Sequence, residues 1–172
     1  MDEVDRPAPS VSAQFLDGIE IEITRTCRGE TGQAMIDYWY SLLAKTDPVG
    51  PHWSDVDLMA IHQVARFMIV KDVVDGGQEY RNRFWGTGLA RAFSFDATNL
   101  VLGDYYDPLH ADQLKNLYVL TAAERRTLKI RGQGQFFPNQ VLVRYEAAHA
   151  PLYDDEGQPS HILVAYDFLD PY

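Results

Sequence analysis

The sequence has a single cysteine, Cys27, among 172 residues. No internal disulfide can form, and a metal cluster built on several thiolates is excluded. Positive charge is also scarce: 15 Lys and Arg against 25 Asp and Glu leave a formal net charge of −10. Such a surface repels phosphate backbones and anionic lipid, so neither nucleic acid nor a membrane is expected as a partner; solubility accounts for the charge. No apolar run approaches the roughly 20 residues that span a bilayer. The start, Met1-Asp2-Glu3-Val4-Asp5, is acidic and unlike a secretory signal. These absences predict a cytoplasmic protein. Repeats and low-complexity tracts are missing too.

What is present is a core. Hydrophobic residues make up 46% and aromatics 12% of the chain, enough for one packed domain with at most an extension. Residues 1–12 read as loose. Residues 15–23 alternate Ile19, Ile21 and Ile23 with Glu20 and Glu22, a half-exposed strand pattern. From Ala34 the period changes: Met35, Ile36, Trp39, Leu42 and Leu43 share a helical stripe, ended by Asp47-Pro48 and Gly50-Pro51. Ser54-Asp55-Val56-Asp57 has the form of a capping box before a short helix through Leu58, Ile61 and Ala65.

Residues 67–74 are apolar and β-branched, the turn Asp75-Gly76-Gly77 follows, and residues 79–85 form the partner of a hairpin. That partner runs on through Gly86-Thr87-Gly88 into a short helix ending near Phe93. A lone Gly-x-Gly after an antiparallel strand lacks the context of a phosphate loop and reads as a sharp turn. Asp107 and Pro108 suit the N-cap and first position of a longer helix marked by Leu114, Leu117, Tyr118 and Thr121. Residues 128–137 and 140–150 read as strands broken near Pro138-Asn139, and residues 161–169 as the last strand. This order predicts an α+β domain with a five-stranded antiparallel sheet and helices on one face.

Several stretches resemble PAS domains, in particular the bacterial family of short proteins with a single PAS domain. The resemblance rests on Tyr38-Trp39, on Tyr80-Arg81-Asn82-Arg83-Phe84-Trp85-Gly86-Thr87, and on Asp96-Ala97-Thr98 with Asp104-Tyr105. It continues through Glu146, Ala150-Pro151-Leu152 and residues 162–167, covering roughly residues 34–169. Asn99 departs from it, where the family often has glycine. The resemblance implies a sheet of order 2-1-5-4-3, a pocket beneath the helices, and a sensory or protein-interaction role in place of catalysis. Residues 1–33 are then an N-terminal extension, partly disordered, and 34–172 a single PAS domain that includes the N-terminal helix. With no output domain in the sequence, the signal would pass to a separate signalling protein. Residues before 46, Trp39 included, are the expected homodimer interface, across an open sheet face.

The ligand is unknown from sequence. Photosensory relatives place a cysteine beside an arginine in the pocket, and Cys27 lies far upstream, so a flavin adduct is not expected. Haem would need an axial histidine; His110 stands at the start of the long helix but is expected to face solvent there, and no histidines show ligand spacing. Arg81 and Arg83 fall on one strand face, with Tyr80, Asn82 and Phe84 on the other. They could fork a carboxylate or phosphate ligand, pair with Asp72 or Glu146, or be exposed. The aromatics Phe84, Trp85, Phe93, Phe95, Tyr105, Tyr106, Tyr118, Phe136, Tyr145, Tyr166 and Phe168 would mostly pack the core. The candidate ligand contacts are Arg83, Phe84, Phe93, Tyr105, Tyr106, His110, Tyr118 and Tyr145. The basic run Arg125-Arg126-x-x-Lys129-x-Arg131 reads as solvated, or as a dock for an acidic partner. An alternative class is a cone-shaped isomerase or dehydratase using His62, Asp96 and Asp104. A second is a pure interaction module without ligand.

Overall fold

A computed structural model of the chain describes residues 19–46, 48–136 and 141–169. The expected loose start at 1–12 and the break at Pro138-Asn139 lie outside them. The chain begins with β1 (Glu20–Ile23), α1 (Glu30–Leu43), two 3-10 turns (Trp53–Asp55 and Leu58–Ile61) and α2 (His62–Ala65). The hairpin β2 (Met68–Val74) and β3 (Glu79–Trp85) leads into α3 (Thr87–Phe93), α4 (Leu102–Tyr105) and α5 (Pro108–Glu124). Then come β4 (Leu128–Phe136), β5 (Val141–Tyr153) and β6 (Pro159–Phe168).

All strands join one sheet, in the order β1-β4-β5-β6-β2-β3, antiparallel throughout. Without β1 this is the order 2-1-5-4-3. The sixth strand is β1, which pairs with β4 from Glu20 opposite Arg131 to Ile23 opposite Leu128. Helix α5 starts as its sequence dictates, with Asp107 accepting from the N–H groups of Leu109 and His110. Asn99 has φ of +68°, a left-handed conformation that asparagine tolerates nearly as well as glycine.

The sheet is covered on both faces. On the inner face, α3, α4 and α5 enclose Ile69, Tyr80, Trp85, Ile130, Tyr145, Ile162, Val164 and Tyr166. The outer face is not open. Helix α1 lies over it and seats Met35, Ile36 and Trp39 against Met68, Val70, Ala148, Ala150, Leu163 and Ala165. The alanines let the helix sit close, and Trp39 Nε1 donates to Pro151 O at 2.7 Å. Trp39, expected at an interface between copies, is fully buried within its own chain. Its stripe is helical because it serves this face.

Carboxylates lock the start of α1. Its N-cap, Gly29, has no side chain to cap with. Glu146 Oε1 accepts from the N–H groups of Arg28 and Gly29 at 2.8 and 2.9 Å. Asp167 accepts from Thr31 and Gly32 at 3.0 and 2.8 Å. The two acids are cross-strand partners in β5 and β6 and meet the positive end of the helix, with Arg131 Nε on Glu146 Oε2 at 2.8 Å.

The Gly86-Thr87-Gly88 turn is a close approach. A Cβ on Gly86 would stand 2.2 Å from Arg66 O, and one on Gly88 2.9 Å from the same atom. The Gly88 and Leu89 N–H groups both donate to that carbonyl. Glycine is required there for packing, with no phosphate-binding role implied.

Candidate ligand site under the helices

Strand β2 turns Ile69, Lys71 and Val73 toward the helices by simple alternation. Lys71 is therefore a lysine in the core, only 2% exposed. Its cross-strand partner Asn82 is fully buried, and Lys71 Nζ donates to Asn82 Oδ1 at 2.7 Å. Tyr105, at the end of α4, puts its hydroxyl 3.3 Å from Lys71 Nζ and 3.0 Å from Asn82 Nδ2. Asn82 Nδ2 also donates to Ala97 O, which ties β3 to the loop after α3. The ammonium lies 5.4 Å from the centre of the Tyr118 ring and 6.0 Å from that of Tyr105.

Burial drives Lys71 down from its ordinary range to about 7, against a weaker upward pull from Glu79. His149 on β5 is equally enclosed, its ring 5.3 Å from Tyr118. Burial, then the Lys71 charge, presses it down to about 3, so its imidazole is neutral. Burial also raises the Tyr105 and Tyr118 hydroxyls, which stay protonated. Among the described residues, Trp85 Nε1 and His149 Nδ1 are buried without a hydrogen-bond partner. A cavity of about 390 Å³ adjoins this layer between the β2–β3 turn and the end of α5, lined by Val73, Gly77, Tyr80, Val119, Ala122 and Tyr153 among others.

The structure brings together six of the eight candidate contacts. Tyr105 and Tyr118 flank Lys71, Tyr106 lies 4.8 Å from Tyr105, and His110 stacks on Tyr106. Phe93 and Tyr145 belong to the same layer, against Phe168 and Tyr166 respectively. Two candidates do not join. Arg83 is exposed and bonded to Asp72 Oδ1 at 2.6 Å, with Trp53 beside it. Phe84 packs on the outer face. The cause is a bulge: Val70 opposes Phe84 but Lys71 opposes Asn82, so Arg83 is an extra residue and the alternation flips after it. His110 is also a correction. It is fully buried, with Nδ1 on Asp107 Oδ2 and its ring stacked on that of Tyr106, so the first turn of α5 faces inward there.

The other sequence candidates are spent locally. Asp96 caps Thr98, Asp104 caps Val101, and His62 sits on the outer-face side against Met59 O. Arg126, Lys129 and Arg131 pair with Glu124, Glu22 and Glu146, so the basic run is not a free patch. Among the described residues no group of three His, Cys, Asp or Glu side chains could hold a metal, and no helix is long and apolar enough to cross a membrane. Lys71, Asn82 and His149 were missed by the sequence reading. The signal for Lys71 was there: it is in phase with Ile69 and Val73.

No protein-family model matches the sequence, and a search of curated proteins returns no match. Solved structures do match. An RNA-binding light-oxygen-voltage receptor superposes with a TM-score of 0.51 at 11% identity, over 95% of this chain and 40% of that one. The chain has the PAS fold. A light-oxygen-voltage domain studied with a flavin analogue gives a TM-score of 0.46 at 10% identity, over 69% of this chain and 86% of that one. A sensory box histidine kinase/response regulator from Burkholderia thailandensis E264 gives 0.41 at 8%, over 65% and 82%. Within the PAS fold, the Lys71 cluster lies on the sheet face that α3, α4 and α5 enclose.

Proposed function

We propose that this PAS domain is a sensory module that takes up a small molecule beneath α3–α5 and relays its occupancy to a separate signalling protein. The observation that carries the reading is the polar cluster of Lys71, Asn82 and Tyr105, buried among aromatics with donors left over. A core selected for stability alone would place apolar side chains there. Ligand contact at Tyr105 and Tyr118 gives differential affinity for two arrangements of α4 and α5, which a switch requires. The reading involves no catalysis: His62, Asp96 and Asp104 share no site. It involves no flavin–cysteine adduct, because Cys27 packs against the outer-face cluster, where burial pushes its thiol up to about 12. Self-association falls to the N-terminal segment, where β1 is an edge strand carrying half-exposed Ile21 and Ile23.

Non-denaturing mass spectrometry of the full chain, purified without unfolding, tests the reading. A retained mass that leaves on denaturation is expected. A bare chain whose melting temperature is unmoved by a library of small metabolites would sink it.

A further inference from the structure

The hydrogen-bond inventory of Lys71, Asn82, Tyr105 and Trp85 is one-sided. Lys71 Nζ has three N–H groups, of which Asn82 Oδ1 and the Tyr105 oxygen take two. The Tyr105 oxygen accepts from both Lys71 and Asn82, so its own O–H points elsewhere, and no acceptor for it occurs among the described residues. Trp85 Nε1, a donor only, is buried without a partner, and its ring meets that of Tyr105 edge-on with centroids 6.1 Å apart. The cluster therefore carries three N–H or O–H groups in want of acceptors and one amine in want of a counter-charge. Among the described residues no carboxylate supplies it: Glu79, the one acid that acts on Lys71, pairs with Lys115 at 3.5 Å.

We propose that the cluster is a site for a small organic acid, whose single carboxylate accepts from Lys71 Nζ and the Tyr105 hydroxyl. The proposal rests on the sensory reading above and names its ligand class. A carboxylate has acceptors and no donors, and one negative charge matches one ammonium. The walls are aromatic, which suits an acid with a ring or short apolar body. The site adjoins a space of fitting size. Val73, which lines the 390 Å³ cavity, is the next inward-facing residue after Lys71, about 6.6 Å along the strand. Tyr80 stands at the boundary, lining the cavity with its ring 4.9 Å from that of Tyr118.

Isothermal titration of the full chain at pH 7 with benzoate, phenylacetate, 4-hydroxybenzoate and hexanoate, beside the corresponding primary amides, tests this. At least one acid should bind while its amide does not. Lys71→Met should weaken that acid by at least tenfold, and Tyr105→Phe, which keeps the ring and the fold, by a smaller factor of about three to ten. Amides that bind as well as the acids, or undiminished binding in both variants, would overturn the carboxylate assignment. So would failure of every acid to bind. A retained metabolite without an acid group also overturns it, yet leaves the sensory reading standing.

Discussion

On the outer face of the sheet, Glu146 and Asp167 meet four backbone N–H groups of the α1 start and every contact is answered. On the inner face, on strands β2 and β3, Lys71 and Trp85 keep donors that nothing among the described residues accepts. Both faces bury polar groups, but only one satisfies them. The outer face is built of small and apolar residues under α1, with α2 and the two 3-10 turns beside it, which suits a permanent seal. The inner face is built of large aromatics around an amine, under three short or separately connected helices. The difference separates the face that holds the fold from the face that carries unanswered donors.

The sharpest way to break that division is Trp39→Ala. It removes a fully buried indole and the bond to Pro151 O. A loss of about 3–5 kcal/mol in urea unfolding is expected. A loss below about 1 kcal/mol would show that α1 is a loose flap, and the outer face no seal.

The inner face should respond with the opposite sign. Lys71 is near 7 in the folded chain and in its ordinary range when unfolded. Between those values the unfolded chain binds more protons, so stability rises with pH. From pH 7 to pH 9 the gain is about 2 kcal/mol. Lys71→Met should abolish that rise and leave the protein at least as stable at pH 7, since an apolar side chain replaces a buried amine. Equal slopes in wild type and variant would mean that Lys71 reaches water.

Glu146→Gln probes the outer face through charge. Burial alone would raise this carboxyl, but the Gly29 N–H, Arg131 and the Arg28 N–H outweigh it and hold it below the ordinary range. Its contribution is present above the unfolded carboxylate range near pH 4 and is lost as pH falls through the lower folded value. At pH 7 the variant should lose about 1–3 kcal/mol. That deficit should shrink below pH 4, and a constant deficit would show that the charge plays no part.

Much of this comparison was legible in the chain. Period-two alternation and glycines predicted the β2–β3 hairpin, and the Asp107-Pro108 pair predicted the α5 start, because these signals are local. The pairing of β1 with β4 was not legible, since alternation predicts a strand but not its neighbour. The seal was not legible either: the Glu146 and Asp167 bonds join residues more than a hundred positions apart. Phe84 was misplaced because a one-residue bulge leaves no mark in composition. His110 was misplaced because a first-turn position says nothing about what packs over it, here the Tyr106 ring. Lys71 drew no reading from the sequence, although its phase with Ile69 and Val73 puts it inside.

The smallest effect belongs to β1, which belongs to neither face. Its residues are all exposed, and it ends the sheet with one row of backbone groups paired to β4 and no strand among the described residues on the other. An open edge bearing Ile21 and Ile23, each 42% exposed, favours pairing with the same strand of a second copy. A double change, Ile21→Lys with Ile23→Lys, places like charges along that edge without touching either core. Light scattering should show a dimer in the wild type and a monomer in the variant, while unfolding stability measured at low concentration moves by no more than about 0.5 kcal/mol. A dimer that survives the change would assign self-association to another surface. A large stability loss would instead show that β1 is part of the seal, and the comparison between faces would then extend to the sheet edge.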